Sequence, residues 1–148
     1  MSGIPQITKT GPASYTPASG ETIHGGVLVE ARSGGRIGVA AAASVHVLGV
    51  ALFDAIAPEQ VNTSTTTDSL GRPVLTAVAI PTTVAVAYGG VEVKLTYSAA
   101  ANFGDLLVAT ANGQVAPAAA TPDVRTIVGR CTEPAGVAAA GVGRARIN

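Results

Sequence analysis

Two histidines, His24 and His46, and one cysteine, Cys131, are the residues of this 148-residue chain best suited to act as a base or nucleophile near neutral pH. A hydrolase needs such a base held beside its nucleophile. His24 precedes Gly25-Gly26, His46 lies between Val45 and Val47, and no G-x-S-x-G elbow accompanies either. Acid–base work by paired carboxylates is equally unsupported, because Glu21, Glu30, Asp54, Glu59, Asp68, Glu92, Asp105, Asp123 and Glu133 are scattered singly. Asp105 after Gly104 and Asp123 after Pro122 are placed to cap turns. A lone Cys131 excludes an intramolecular disulfide and a Cys cluster for zinc or iron–sulfur, and neither the supply nor the spacing of two His and one Cys suggests another metal site. Cys131 reads as a small buried hydrophobe. The glycine pairs at 34–35 and 89–90 lack a phosphate-loop pattern and read as turns. No catalytic, cofactor-binding or metal-binding residue is expected, and no enzymatic activity.

The basic residues give a different signal. Arg125, Arg130, Arg144 and Arg146 make the C-terminal quarter locally cationic, with Arg144 and Arg146 on one face of a final strand. Aromatic interleaving is absent, Asp123 and Glu133 offset the charge, and the whole chain balances nine basic against nine acidic residues. Direct nucleic-acid binding is therefore not expected, and pairing of these arginines with carboxylates between subunits is the better reading. Lys94 raises the alternative of a small carrier or ligand-binding barrel. Carrier domains display the modified lysine at a hairpin tip, whereas Lys94 falls inside the alternating run Val91–Tyr97.

Composition bounds what can position these groups. The chain holds 28 Ala, 19 Val, 18 Gly and 16 Thr but only 2 Phe, 3 Tyr and no Trp, so its core is built from small side chains. Only 12% of residues are charged, which leaves neutral surface that favours association. The start has no basic segment leading into an apolar stretch, so no secretory signal is expected. The charge-free windows at residues 37–53 and 73–91 are broken by His46 and glycines or by Pro73 and Pro81, and neither is expected to span a membrane.

Residues 1–25, with Pro5, Pro12 and Pro17 among Ser and Thr, show neither the helical nor the strand period and predict an extended N-terminal arm. Residues 26–148 predict a single β-rich domain with one core and no internal repeat. Val91, Val93, Leu95 and Tyr97 alternate with Glu92, Lys94 and Thr96, the clearest half-buried strand in the chain. Val45–Leu52, free of charge, suits a strand covered on both faces. Asn112-Gly113 predicts a hairpin, and Gly89-Gly90 predicts another joining 84–88 to 91–97. Residues 59–73 read as an exposed loop or fringe strand, and 74–80 as an apolar run closed by Pro81. Short strands at turn spacing, little helix and Gly-rich turns give a mainly β fold, a small barrel or sandwich.

From about Gly25 onward the chain resembles the head-decoration, or capsid cement, proteins of tailed bacteriophages, especially those infecting actinobacteria. The resemblance rests on Leu48–Ala55, Val84–Val93, Phe103–Val108, Ile127–Glu133 and Gly141–Ala145, which are Gly-punctuated strand patterns. It implies a β-barrel or β-tulip subunit made in the host cytoplasm and carried on the outer surface of the virion capsid. There such a subunit bridges major capsid proteins against the pressure of packaged DNA, often as a homotrimer. On this reading the arm orders on the capsid through Ile4, Ile7, Tyr15 and Ile23, and its removal leaves the barrel folded. A tail-tube or baseplate component is a further alternative.

Overall fold

In a computed structural model of the chain, the residues described are 11–61, 65–75 and 80–148. Among them the first half contributes β1 (Ala13–Tyr15), β2 (Thr22–Ile23), β3 (Leu28–Ala31), β4 (Ile37–Val39), β5 (Val47–Ala51), β6 (Ala55–Ile56), β7 (Thr65–Thr67), β8 (Pro73–Leu75) and β9 (Val84–Ala87). The second half contributes β10 (Glu92–Thr96), β11 (Leu106–Ala109), β12 (Val115–Pro117), β13 (Ile127–Cys131) and β14 (Val142–Ile147). Helical structure among the described residues is confined to single 3-10 turns, as the small, β-branched and Gly-rich composition predicts.

The strands build two five-stranded antiparallel sheets of the same topology. One runs β1-β9-β5-β3-β4 and the other β10-β14-β13-β11-β12. In each, the first strand pairs with the fifth, the fifth with the fourth, the fourth with the second and the second with the third. Each sheet is then closed by a parallel bridge between its first and third strands, Pro17 to Ile37 and Tyr97 to Val115. The bridging hydrogen bonds correspond, Ala18 N donating to Ile37 O at 2.7 Å and Ser98 N to Val115 O at 2.8 Å. Both sheets are thus small barrels, and closure removes the exposed edges that invite aggregation.

The correspondence extends to the irregularities. The ladder between second and fourth strands shifts register at Val29/Glu30 in one barrel and at Leu107/Val108 in the other. Opposite those bulges sit Gly49 and Gly129, and a Cβ on either would run into the carbonyl oxygen of its matching neighbour, Ala87 or Arg146. The turns between second and third strands also match. Residues 33–35 and 111–113 are single 3-10 turns whose middle residue, Gly34 or Asn112, has φ of 71° or 61°. The expected Asn112-Gly113 hairpin therefore forms, as β11–β12.

Several expectations are corrected. Among the described residues there are two cores where one was expected, and a structural repeat underlies a sequence with no exact repeat. The segment up to Gly25 is an arm in neither half of residues 11–25: β1 completes the first barrel, and β2 pairs with β6 across its end. Ile23 is 0% exposed, so removing this stretch takes away core and closure together. Gly89-Gly90 makes no hairpin, because β9 is flanked by β1 and β5 while β10 pairs with β14. The glycine pair is the link between barrels. Residues 65–75 form a separate two-stranded ribbon, β7–β8, and 76–79 of the expected apolar run lie outside the described residues.

The barrels share a wall. Along β3 and β5, Val29 and Ala51 face the first core, with Leu48 packed against it, while Leu28 and Val50 belong to the second core, with Val47 packed against that. The bulge makes this possible: Leu48 is the extra residue, so Val47 and Val50, three apart, share a face. This matches the charge-free strand read from the sequence, which is covered on both sides.

Gly49→Ala and Gly129→Ala are each expected to cost about 3 kcal/mol by overpacking a closed ladder, whereas Gly89→Ala, where an added Cβ meets nothing within 4 Å, costs about 1 kcal/mol from its positive φ alone. Urea unfolding of the three variants checks this, and equal losses would contradict the shared close approach.

Candidate interaction surfaces

Strand register assembles the cationic residues. Arg146 stands opposite both Glu92 and Arg130, Arg130 opposite Leu106, and Lys94 opposite Arg144. Arg144 reaches Glu92 at 3.5 Å and Glu133 at 3.4 Å, and its hydrogen bonds hold the Glu133 carboxyl below the usual carboxylate range. Arg146 donates through Nε to Gly90 O at 3.3 Å. Among the described residues Lys94 and Arg130 make no ion pair. Like charges directly opposite each other weaken a ladder, so the Arg130–Arg146 and Lys94–Arg144 pairs leave this outer face with positive charge unbalanced by Glu92 and Glu133.

Three of the four arginines singled out in the sequence therefore share a face. Arg125 does not. Asp123 accepts from Arg125 N at 3.0 Å, capping the turn before β13, and holds its guanidinium at 2.7 Å. That pins Arg125 at a cleft of about 130 Å³ between the barrels, lined also by Ser44, Leu48, Ile147 and Asn148.

The expected anchors divide as well. Ile4 and Ile7 lie outside the described residues. Ile23 is fully buried within the first core and so is not presented to a partner, whereas Tyr15 packs against that core and stays half-exposed. Sequence reasoning missed them as core residues because prolines and serines around them mask the strand period.

Signals that the sequence did not rank include the β7–β8 ribbon. Asp68 organises its tip, accepting from Leu70 N and Arg72 N, each at 2.9 Å, and pairing with Arg72 Nε at 2.8 Å, which leaves Leu70 75% exposed. The D-S-L-G-R-P string carries that turn, and its Asp could have been read as the cap.

Reactive chemistry finds no assembly. His24 faces Asp54 at 3.5 Å, with both side chains exposed, and Asp54 accepts from Gly25 N at 2.8 Å. That backbone bond, then His24, holds the Asp54 carboxyl low. No hydroxyl or thiol hydrogen-bonds to either imidazole among the described residues, and none of those residues forms a group of three or more potential metal ligands. Cys131 is buried beside Tyr97, whose hydroxyl donates to Arg144 O at 3.0 Å and whose acidity burial suppresses. Lys94 is exposed in mid-strand. No helix among the described residues is long and apolar enough to cross a membrane.

Among the described residues the one buried charge lies on the first barrel. Glu30, 5% exposed, accepts from Ala41 N at 3.1 Å and pairs with Arg32, which also contacts Glu21 at 3.5 Å. Burial raises its pKa, but the Ser44 hydroxyl, the Ala41 amide, Arg32 and His46 outweigh burial and hold it below the ordinary carboxylate value.

Comparison with known proteins bears on this geometry. No family model matches the sequence, and no curated protein matches it. Among solved structures, the head fiber gp8.5 N base of bacteriophage phi29 is similar over 93% of this chain and 94% of its own, with a TM-score of 0.58 at 16% identity. The likeness spans both barrels, and at that identity it is a likeness of fold.

Because Glu30 is held ionised more strongly in the folded state, its contribution is complete above about pH 4.5 and is lost as pH falls through its lower folded value. Glu30→Gln is expected to cost about 1–2 kcal/mol at pH 7 and to flatten the acid side of the stability curve. Denaturant titrations between pH 3 and 7, values that bracket the ordinary carboxylate range, check both effects.

Proposed function

We propose that this chain is a structural component of a phage head, a decoration subunit seated on the outer surface of the assembled capsid. There it bridges neighbouring major capsid proteins and stabilises the shell against packaged DNA, as a homotrimer. The observation that carries the reading is the likeness over nearly the full length of both chains to a protein described as a phage head fiber base. The sequence resemblance to capsid cement proteins points the same way independently.

The chemistry of these surfaces is in keeping with a mechanical role. Closed barrels present few pairing edges, and the small-residue walls allow close approach without large desolvation of charge. The cationic face of the second barrel offers Arg130 and Lys94 to carboxylates on a neighbour. Many copies on one shell act together, so each bridge needs only modest affinity. We read the protein as non-enzymatic on the same ground: its only exposed histidine–carboxylate pair has no nucleophile bonded to it among the described residues.

Purified protein mixed with expanded heads lacking it is expected to add at saturable, symmetry-related positions visible by electron microscopy, and to raise the temperature at which the heads release DNA. Absence from the shell, or density on the tail instead, overturns the reading. Lys94→Glu is expected to reduce occupancy on heads without lowering the melting temperature of the free subunit.

A further inference from the structure

The two barrels are equivalent strand for strand, yet their outer walls meet different surroundings. On the first barrel the wall formed by β3 and β5 carries the second barrel. Leu28 and Val50 there are 0% and 1% exposed, and the 111–113 turn seats on it so closely that a Cβ on Gly113 would fall 2.7 Å from Leu28 O. Ala43 N donates to Ala109 O at 2.9 Å across the same contact. On the second barrel the matching wall is β11 and β13. Leu106 occupies the place of Leu28 and is 39% exposed, and Arg130 occupies the place of Val50 and is exposed. Phe103, in the turn leading into β11, is 64% exposed.

The complementary element is equally uncovered. The first barrel's 33–35 turn corresponds to the 111–113 turn, has the same backbone shape, and has no atom within 4 Å of where a Cβ on Gly34 or Gly35 would stand. One end of the chain thus carries a bare wall, and the other carries the bare turn that fits such a wall.

We propose that the β11–β13 wall is the docking site for the first barrel of a second copy of this chain, repeating between molecules the contact already made within one. Charge favours a copy over an unrelated partner. Over residues 11–87, Arg32, Arg36 and Arg72 stand against Glu21, Glu30, Asp54, Glu59 and Asp68. Over residues 88–148, Lys94, Arg125, Arg130, Arg144 and Arg146 stand against Glu92, Asp105, Asp123 and Glu133. The first barrel is net acidic and the second net basic, and the arginines flanking the 33–35 turn, Arg32 and Arg36, are held by Glu21, Glu30 and Glu59, so the turn brings no unpaired cation to Arg130. The substitution of Arg for Val on the wall suits an intermolecular surface, which must stay solvated in the free chain. A contact of this kind is heterologous and closes into a ring when its rotation permits.

Sedimentation of the full chain over a range of concentrations, without heads, tests the site apart from capsid binding. Wild type is expected to assemble, and Leu106→Glu to weaken assembly at least ~tenfold by removing the wall's apolar centre and carrying a carboxylate beside Arg130 into the contact, with its melting temperature unchanged. As a second measurement, a mixture of Ser33→Cys and Leu106→Cys chains under oxidation is expected to yield disulfide-linked heterodimers, identified by mass spectrometry. A wild type that stays monomeric, a Leu106→Glu variant that assembles normally, or the absence of that linkage overturns the proposal. A monomer that binds heads through Leu106 reassigns the wall to the shell and equally overturns it.

Discussion

The double burial of one wall is the constraint on which the rest of this molecule depends. β3 and β5 place Val29 and Ala51 in the first core and Leu28 and Val50 in the second. Neither core is complete without this wall, and with so few aromatic residues neither has large side chains to compensate for a gap. Buried valine and leucine each contribute roughly 1.5–3 kcal/mol, so a two-sided wall serves twice per strand. Its cost is the absence of any solvated face, which is why residues 47–51 contain no charge at all.

The bulge within that wall follows from the same demand. A regular strand alternates strictly, and β5 would then send Val47 and Val50 to opposite sides. The extra residue at Leu48 resets the phase, so that both reach the second core and Leu48 and Ala51 the first. Gly49 is needed at the reset because Ala87 O occupies the space of its Cβ, and Gly129 stands in the same position against Arg146 O. The second barrel keeps the device although its own wall, with Leu106 and Arg130, is left exposed by the described residues. A repeated backbone solution with unlike outer residues separates what holds each barrel from what each barrel presents.

Polar groups are arranged around this frame in two ways. Glu30 is buried and fully engaged, serving the fold, whereas Lys94 and Arg130 lie on an open sheet face beside like charges that do nothing for the ladder. Asp68, Asp105 and Asp123 cap turns through neighbouring backbone amides, at 2.9, 2.8 and 3.0 Å. Among the described residues the acidic side chains are thus largely committed to local structure, and the cations without an ion pair, Lys94 and Arg130, lie on the second barrel.

Local chemistry made much of this legible without coordinates. Alternation in Val91–Tyr97, positive-φ tolerance at Asn112-Gly113 and the turn-capping places of Asp105 and Asp123 each depend on a residue and its near neighbours, and each appears as read; the charge-free run Val45–Leu52 does so over 47–51, with Val45 and Leu52 exposed at its ends. The duplication was invisible because equivalent positions hold unlike residues, Val50 with Arg130, Pro17 with Tyr97 and Ala51 with Cys131. The unequal spacers, residues 52–83 against 132–141, also break any fixed period. Gly89-Gly90 reads the same whether it turns a hairpin or links two barrels, and Tyr15 and Ile23 read the same in an arm or a core. Those outcomes depend on which distant strand edges remain unpaired when the barrels close, so tertiary pairing alone decides them.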